Sequence, residues 1–265
     1  MERNAIMNNK TVLITGATQN TGLAIARRFA AEGWNVLITS RKHASAEAAA
    51  QALMAEYPQV TAAGYEMELI SVESIRRTFQ AVAARFGRLD AFVANAAHLA
   101  IDMSIFNTTP DMFGEVVDTN LRGNFFCFQE AAKLMKEGGA LLVISSVHAD
   151  QSIYGRILYS SSKAALNAMV RCLAIELGHL KIRANALVAG AIWSTRWLLQ
   201  TPEETAARRA QYPAGRESSP EDIANAAYFL CSDQSLTVTG TEMTVDSGIS
   251  ICLLPYQNQN KGNFS

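Results

Sequence analysis

Cysteine is scarce in this chain: the four residues, Cys127, Cys172, Cys231 and Cys252, are far apart and show no CxxC spacing. That distribution argues against a disulfide framework or a thiolate metal site and fits core thiols in a reducing compartment. Histidine is equally sparse, with four scattered residues, so no zinc constellation stands out. Neither charge sign dominates, since 23 basic and 24 acidic residues are interspersed. There is accordingly no electrostatic case for nucleic acid or an anionic membrane as partner. No apolar run is long enough to span a bilayer, and the polar leader Met1 to Lys10 lacks the apolar core of a signal peptide, so a cytoplasmic protein is expected. Internal repeats and low-complexity linkers are also missing. What remains is a chain of 265 residues, 49% hydrophobic, able to bury one sizeable core, and a single domain over 1–265 is expected.

Within it, short β-branched apolar runs alternate with longer alanine-rich helical patterns. Strands are expected at 11–15, 36–39, 60–69, 91–94, 140–145, 183–188 and 241–245. Helices are expected after Gly22, over 44–56, 73–86 and 111–136, and from Tyr159 to Leu177. Continuous apolar strands separated by helices predict an α/β fold, a doubly wound parallel sheet of Rossmann type covered on both faces. Residues 191–218, rich in Trp, Arg, Thr and Glu, break the rhythm and read as a substrate lid insertion. Residues 249–265 form a C-terminal tail, polar from Tyr256 onward, that is either disordered or docked on a neighbour.

In such a sheet, ligands bind beyond the carboxyl ends of the strands, where strand order reverses. The turn TGATQNTGLA follows the first strand. Gly16 permits a tight turn, and Gly22 lets the next helix pack close and aim its N-terminus at a diphosphate. Asn20 stands where a third glycine would help, and asparagine tolerates left-handed backbone. The second strand ends Ser40-Arg41-Lys42, with no Asp or Glu between Trp34 and Ala46. An acidic side chain there binds the ribose hydroxyls of NAD; Arg41 instead offers a planar fork suited to phosphate. NADP is therefore favoured, with NAD possible.

The segment YSSSKAALN places Tyr159 and Lys163 four apart, on one face of a helix. Phenols ordinarily titrate near pH ~10. A nearby ammonium is expected to pull the Tyr159 pKa down toward the range useful for acid–base catalysis. No other tyrosine in the chain has a lysine four residues later.

With these pieces in order, residues 9–250 resemble the classical short-chain dehydrogenase/reductase family. TGATQNTG matches the glycine-rich segment, Asn95-Ala96-Ala97 the segment beside the adenosine, and Asn120 the structural and catalytic asparagine. Ser146 lies thirteen residues before Tyr159, as the family's serine does, and Tyr159 and Lys163 match Tyr-x-x-x-Lys. Asn185 to Ser194 is similar to the stretch that contacts the nicotinamide amide. The resemblance implies Ser146, Tyr159, Lys163 and Asn120 as the catalytic set. Ser146 would hold the substrate oxygen and Tyr159 would move the proton. Lys163 would tune the phenol and hold the nicotinamide ribose, and Asn120 would anchor a water linking Lys163 to solvent. It implies a cofactor site of Gly16, Thr18, Asn20, Thr21, Gly22, Ser40, Arg41, Glu68, Leu69, Asn95, Ala96, Ala97, Tyr159, Lys163, Gly190, Ile192 and Ser194. Departures from the family pattern are Asn20, Ala97, Ala189 and Ser247, where glycine or proline is usual.

A small-molecule substrate is expected between Ser146 and Tyr159 and against the 191–212 stretch. His148, Gln151 and Trp193, with Ser146 and Tyr159, are the expected contacts. His98, Leu99, Asp150, Tyr154, Arg196 and Trp197 lie in the same segments. These residue types suit a sugar, polyol or hydroxy/keto acid, although the aromatic residues could equally pack the lid or a subunit contact. The resemblance also suggests a homotetramer or homodimer built through the helices at 111–136 and 159–177. The activity expected is interconversion of a carbonyl and a secondary alcohol. A cofactor-binding regulator that has lost turnover and an enoyl reductase are the competing readings.

Overall fold

The structure, a computed structural model, describes residues 9–254 and 256. Residues 1–8 of the polar leader, and residues 255 and 257–265 of the tail, lie outside the described residues.

Seven parallel strands form one sheet in the order β3-β2-β1-β4-β5-β6-β7. They are β1 (Thr11–Thr15), β2 (Asn35–Ser40), β3 (Ala62–Glu66), β4 (Ala91–Ala94), β5 (Gly139–Ser146), β6 (Ile182–Ala189) and β7 (Glu242–Val245). The order reverses between β1 and β4, which opens the ligand-binding crevice at their carboxyl ends. Register is continuous across the centre, with Val12 opposite both Val36 and Ala91, and Ala91 opposite Ala140.

Alternation along each strand sorts the core into two layers. Val12, Ile14, Val36, Ile38, Val93 and Leu142 face one side and pack with Phe29, Trp34 and Tyr228. That layer is covered by α1 (Asn20–Ala31), α2 (His43–Glu56) and α8 (Pro220–Cys231). Leu13, Leu37, Phe92, Leu141 and Val143 face the other side and meet Phe79, Phe128 and Leu166. There the cover is α3 (Val72–Phe86), α5 (Gly123–Leu134) and α6 (Ile157–Leu177). Strands buried on both faces explain why the sequence shows unbroken apolar runs rather than alternation.

Two expectations change in detail. The third strand is only Ala62–Glu66, because Glu68 and Ser71 already form a turn, with the Ser71 N–H donating to Glu68 O at 3.1 Å. The helical stretch 111–136 is not one regular helix. It runs as α4 (Pro110–Val117), a π-turn over Asp118–Arg122, and α5. The stretch after β6 carries no named strand; it holds a short 3₁₀ turn and the helix α7 (Pro202–Arg209), started by a capping box between Thr201 and Glu204. Among the described residues no helix is long and apolar enough to cross a membrane.

Candidate active site and cofactor cleft

The turn between β1 and α1 is fixed from behind by the loop after β4. Asn95 Nδ2 donates to Thr15 O at 2.9 Å, and the Asn95 and Ala96 N–H groups both donate to Thr15 Oγ1, at 3.0 and 2.9 Å. Gly16 adopts φ +63°, and a Cβ there would lie 2.9 Å from Ala96 Cβ. A Cβ on Gly22 would come within 2.7 Å of Ala17 Cα, Gly16 O and Asn95 Nδ2. Asn20 takes φ +48°, so the left-handed conformation expected of a glycine substitute is present. Gln19, the residue before α1, makes no side-chain cap hydrogen bond. Among the described residues no side chain caps the first N–H groups of α1, beside Thr18 and Thr21, which leaves them suited to an anion.

At the end of β2, Ser40 Oγ accepts from the Lys42 N–H at 3.3 Å, while Arg41 is exposed and joins no ion pair among the described residues. Glu68 is exposed and its N–H donates to Ser74 Oγ at 3.1 Å. Leu69 packs by its carbonyl on α5, where a Cβ on Gly123 would fall 2.4 Å from Leu69 O. Beyond β6, Gly190 sits against Asp246 with no room for a Cβ, which would lie 2.6 Å from Asp246 Cβ. Ile192 bridges to Ser218, and the Trp193 N–H donates to Ser218 O at 2.8 Å. Ser194 Oγ is buried and has no hydrogen-bond partner among the described residues. An orphaned hydroxyl here, a helix N-terminus without a side-chain cap and a turn kept open by Gly16 and Gly22 together fit a dinucleotide lying across the strand ends. Ala97 is half-buried beside the same turn and contributes no polar group.

Between these two flanks stand the remaining residues. Ser146 ends β5, and its Oγ accepts from the His148 N–H at 3.2 Å. The Ser146 hydroxyl also lies near enough to the Tyr159 phenol to favour its ionised form. Lys163 is fully buried; Nζ donates to Ile144 O at 2.7 Å and stands 5.5 Å from the centre of the Tyr159 ring. The spacing of four thus stacks the two side chains as expected. Their electrostatics differ from expectation, however. Burial pushes the Tyr159 phenol above its ordinary value, outweighing the lowering by its Ser146 hydrogen bond and by the Arg156 guanidinium. The same burial brings Lys163 down to about 8, because its ammonium has lost water and has gained only a carbonyl.

Asn120 lies in the π-turn, fully buried. Its Oδ1 accepts from the His98 N–H at 2.7 Å, and Nδ2 donates to His98 O at 2.9 Å and to Ser162 Oγ at 3.0 Å. Ser162 Oγ in turn donates to Tyr159 O at 2.8 Å. Both Nδ2 protons are thus committed within the protein, and the side chain braces the loop after β4 and the start of α6. The backbone O of Asn120 accepts from Asn124 Nδ2 at 2.7 Å.

The expected substrate residues divide. His148 stands edge to face on Tyr159, ring centres 5.9 Å apart. Gln151 donates its amide N–H to Ser250 O, which ties the Ile249–Ile251 turn to the loop after β5. Trp193 is partly exposed, whereas Trp197 stacks with the Arg208 guanidinium at 4.0 Å, so the segment after β6 takes up that indole in its own packing. Sequence reasoning overlooked Arg156, whose guanidinium lies 6.0 Å from the Tyr159 ring and donates to Leu99 O at 2.7 Å. An arginine three positions before the tyrosine, just ahead of its helix, was the available signal. It also overlooked Glu217, buried between Arg208 Nη1 at 2.7 Å and Arg209 Nε at 3.2 Å.

Comparison with known proteins agrees with this geometry. A family model described as enoyl-(acyl carrier protein) reductase matches residues 16–250. The 3α-hydroxysteroid dehydrogenase of Mediterraneibacter gnavus is 35% identical over 91% of this chain and 97% of its own length. The 3-oxoacyl-[acyl-carrier-protein] reductase FabG of Aquifex aeolicus is 32% identical over 92% and 98%. Among solved structures, that of gox2181 superposes with a TM-score of 0.84 at 28% identity, covering 95% of this chain and 99% of that one. The chain is therefore a member of the short-chain dehydrogenase/reductase family, NAD(P)-using oxidoreductases that act on alcohols and carbonyls.

Proposed function

We propose that this protein is an NADP(H)-dependent oxidoreductase interconverting a secondary alcohol and a carbonyl, with Tyr159 as the proton-transferring group. The observation that carries this reading is the buried Lys163 ammonium, 5.5 Å from the centre of the Tyr159 ring, with Ser146 beside them at the end of β5. In oxidation the alcohol loses a hydride from carbon and a proton from oxygen, giving the ketone; reduction returns both. NADP supplies or accepts the hydride when bound.

The chain's own residues do the rest. The His148 N–H donates into Ser146 Oγ, and the single serine proton would turn from the phenol to the substrate oxygen once a substrate is bound. A phenol whose pKa is raised stays protonated near neutrality, which suits donation to a carbonyl under reduction. Lys163 would hold the nicotinamide ribose, and Asn120 keeps the loop after β4 and α6 in register. Gly16, Thr18, Asn20, Thr21 and Gly22 would receive the diphosphate. Arg41 and Ser40 would receive the ribose 2′-phosphate, Asn95 to Ala97 with Glu68 and Leu69 would line the adenosine side, and Gly190, Ile192 and Ser194 would meet the nicotinamide amide.

The segment 191–218 serves in this reading as the substrate lid, with Trp193 at the cleft. A homodimer or homotetramer would form along α4, α5 and α6. An apolar groove of about 650 Å³ lies there, lined in part by Phe113, Val117, Leu121, Ile157 and Ala165. A cofactor-binding regulator without turnover is disfavoured because Ser146, Tyr159 and Lys163 all stand together at the strand ends. Enoyl reduction is disfavoured because Tyr154, the tyrosine nine residues before Lys163, is 89% exposed.

The test is reduction of a panel of ketones, hydroxyketones and enoyl thioesters with NADPH and NADH. Carbonyl turnover that Tyr159→Phe lowers by ~10²–10⁴-fold, with NADPH still bound, is the expected result. Near-normal turnover of Tyr159→Phe would overturn the assignment.

A further inference from the structure

His148 is held at both ends beside the proposed catalytic groups. Its N–H donates to Ser146 Oγ, and its ring stands edge to face on Tyr159. Ring atom Nδ1 lies 3.1 Å from the carbonyl O of Gln151. A carbonyl oxygen can only accept, so in the neutral imidazole the proton resides on Nδ1, and Nε2 carries a lone pair. Gln151 is itself fastened to Ser250, which fixes the carbonyl that sets this tautomer. Among the described residues Nε2 has no partner. A histidine that only packed against Tyr159 would need no fixed tautomer. This one offers an acceptor close to where the reacting oxygen meets Ser146 and Tyr159.

We infer that His148 accepts a hydrogen bond from a hydroxyl on the carbon next to the reacting one, so that the substrate is a vicinal diol or the corresponding α-hydroxyketone. This rests on the oxidoreductase reading above and narrows it from alcohols in general. An acceptor fixed in place discriminates by chemistry: a methylene or a carbonyl at that position leaves Nε2 unpaired, or sets lone pair against lone pair.

The experiment uses matched pairs with NADP⁺: cyclohexanol and cyclohexane-1,2-diol, 1-indanol and indane-1,2-diol, 2-butanol and 2,3-butanediol. The wild type is expected to favour the diol in kcat/KM by about ten- to a hundred-fold in at least one pair. In His148→Phe, which keeps the ring contact with Tyr159 but has no acceptor, that ratio should fall toward one, whatever the absolute rates. His148→Gln, which can present a carbonyl oxygen, should restore part of it. Equal use of both members by the wild type overturns the inference, as does an unchanged ratio in His148→Phe. If no alcohol turns over although NADP⁺ binds, the oxidoreductase reading has failed. The hydroxyl preference is then read by calorimetry of the same pairs against the NADP⁺ complex, where binding of the diol alone upholds it and no difference rejects it.

Discussion

Two segments border the cofactor cleft, and they are held in opposite ways. The turn from Thr15 to Gly22 is built of backbone and small side chains: Gly16 and Gly22 touch Ala96 and Asn95 so closely that neither admits a Cβ. The stretch from Trp193 to Glu217 is held by charge and ring stacking. Arg208 lies on Trp197, Arg208 and Arg209 clasp the buried Glu217, and Arg216 pairs with Asp222 at 2.6 Å. The first has no adjustable part. The second consists of long paired side chains, as suits the substrate lid proposed for it. One segment is fixed by leaving atoms out; the other is tied together by pairing charges.

The contrast can be broken most sharply at Gly22. Gly22→Ala should cost about 1–3 kcal/mol of stability and abolish NADPH binding at micromolar protein, read by thermal unfolding and fluorescence titration. A variant that binds normally would mean the turn is softer than its contacts imply. Arg41→Ala tests the rim of the same cleft without touching its packing. The ratio of NADPH to NADH affinity should fall by about ten- to a hundred-fold, as for the loss of a charge-assisted phosphate contact. An unchanged ratio would make Arg41 a loop residue.

On the other segment, Glu217→Gln keeps the shape but removes the charge between two arginines. We expect a several-fold rise in KM with kcat changed less, and a stability loss of about 1–3 kcal/mol. Equal falls in kcat and kcat/KM would place the clasp in catalysis rather than in lid position. The smallest effect expected is acid sensitivity. Arg216, with further hydrogen bonds from Ser219, holds Asp222 down to about 2, below its ordinary carboxylate value. A depressed folded-state pKa contributes stability that is complete above the unfolded value and is lost as pH falls through the folded one. The difference in unfolding free energy between wild type and Asp222→Asn should therefore shrink from about pH 4 toward pH 2. A difference independent of pH would show the carboxylate acting only through its neutral hydrogen bonds.

What the sequence disclosed follows the same division. β1, the glycine turn, Asn20 and the Tyr159–Lys163 face were legible because each depends on local residue type and spacing. The sign of the Tyr159 shift was not, because burial is set by packing that no spacing of four reveals. The Glu217 clasp was hidden because nothing in RRAQYPAGRE marks which carboxylate is buried. Residues 111–136 looked like one helix because a single extra residue in a turn leaves the apolar period almost intact. The commitment of the Asn120 amide to His98 was invisible, since the two residues lie 22 apart in sequence.

That extra residue in the turn around Asn120 has a practical consequence for anyone who would improve this protein. π-turns are less favourable than the α-helix they interrupt and tend to persist where function needs them. A redesign scored on helix regularity would delete one position between Asp118 and Arg122 and obtain a straighter rod. Every side chain beyond the deletion would then swing by about a third of a revolution, and Asn120 would lose its grip on the loop after β4 and on Ser162. The firmer molecule would be the idle one.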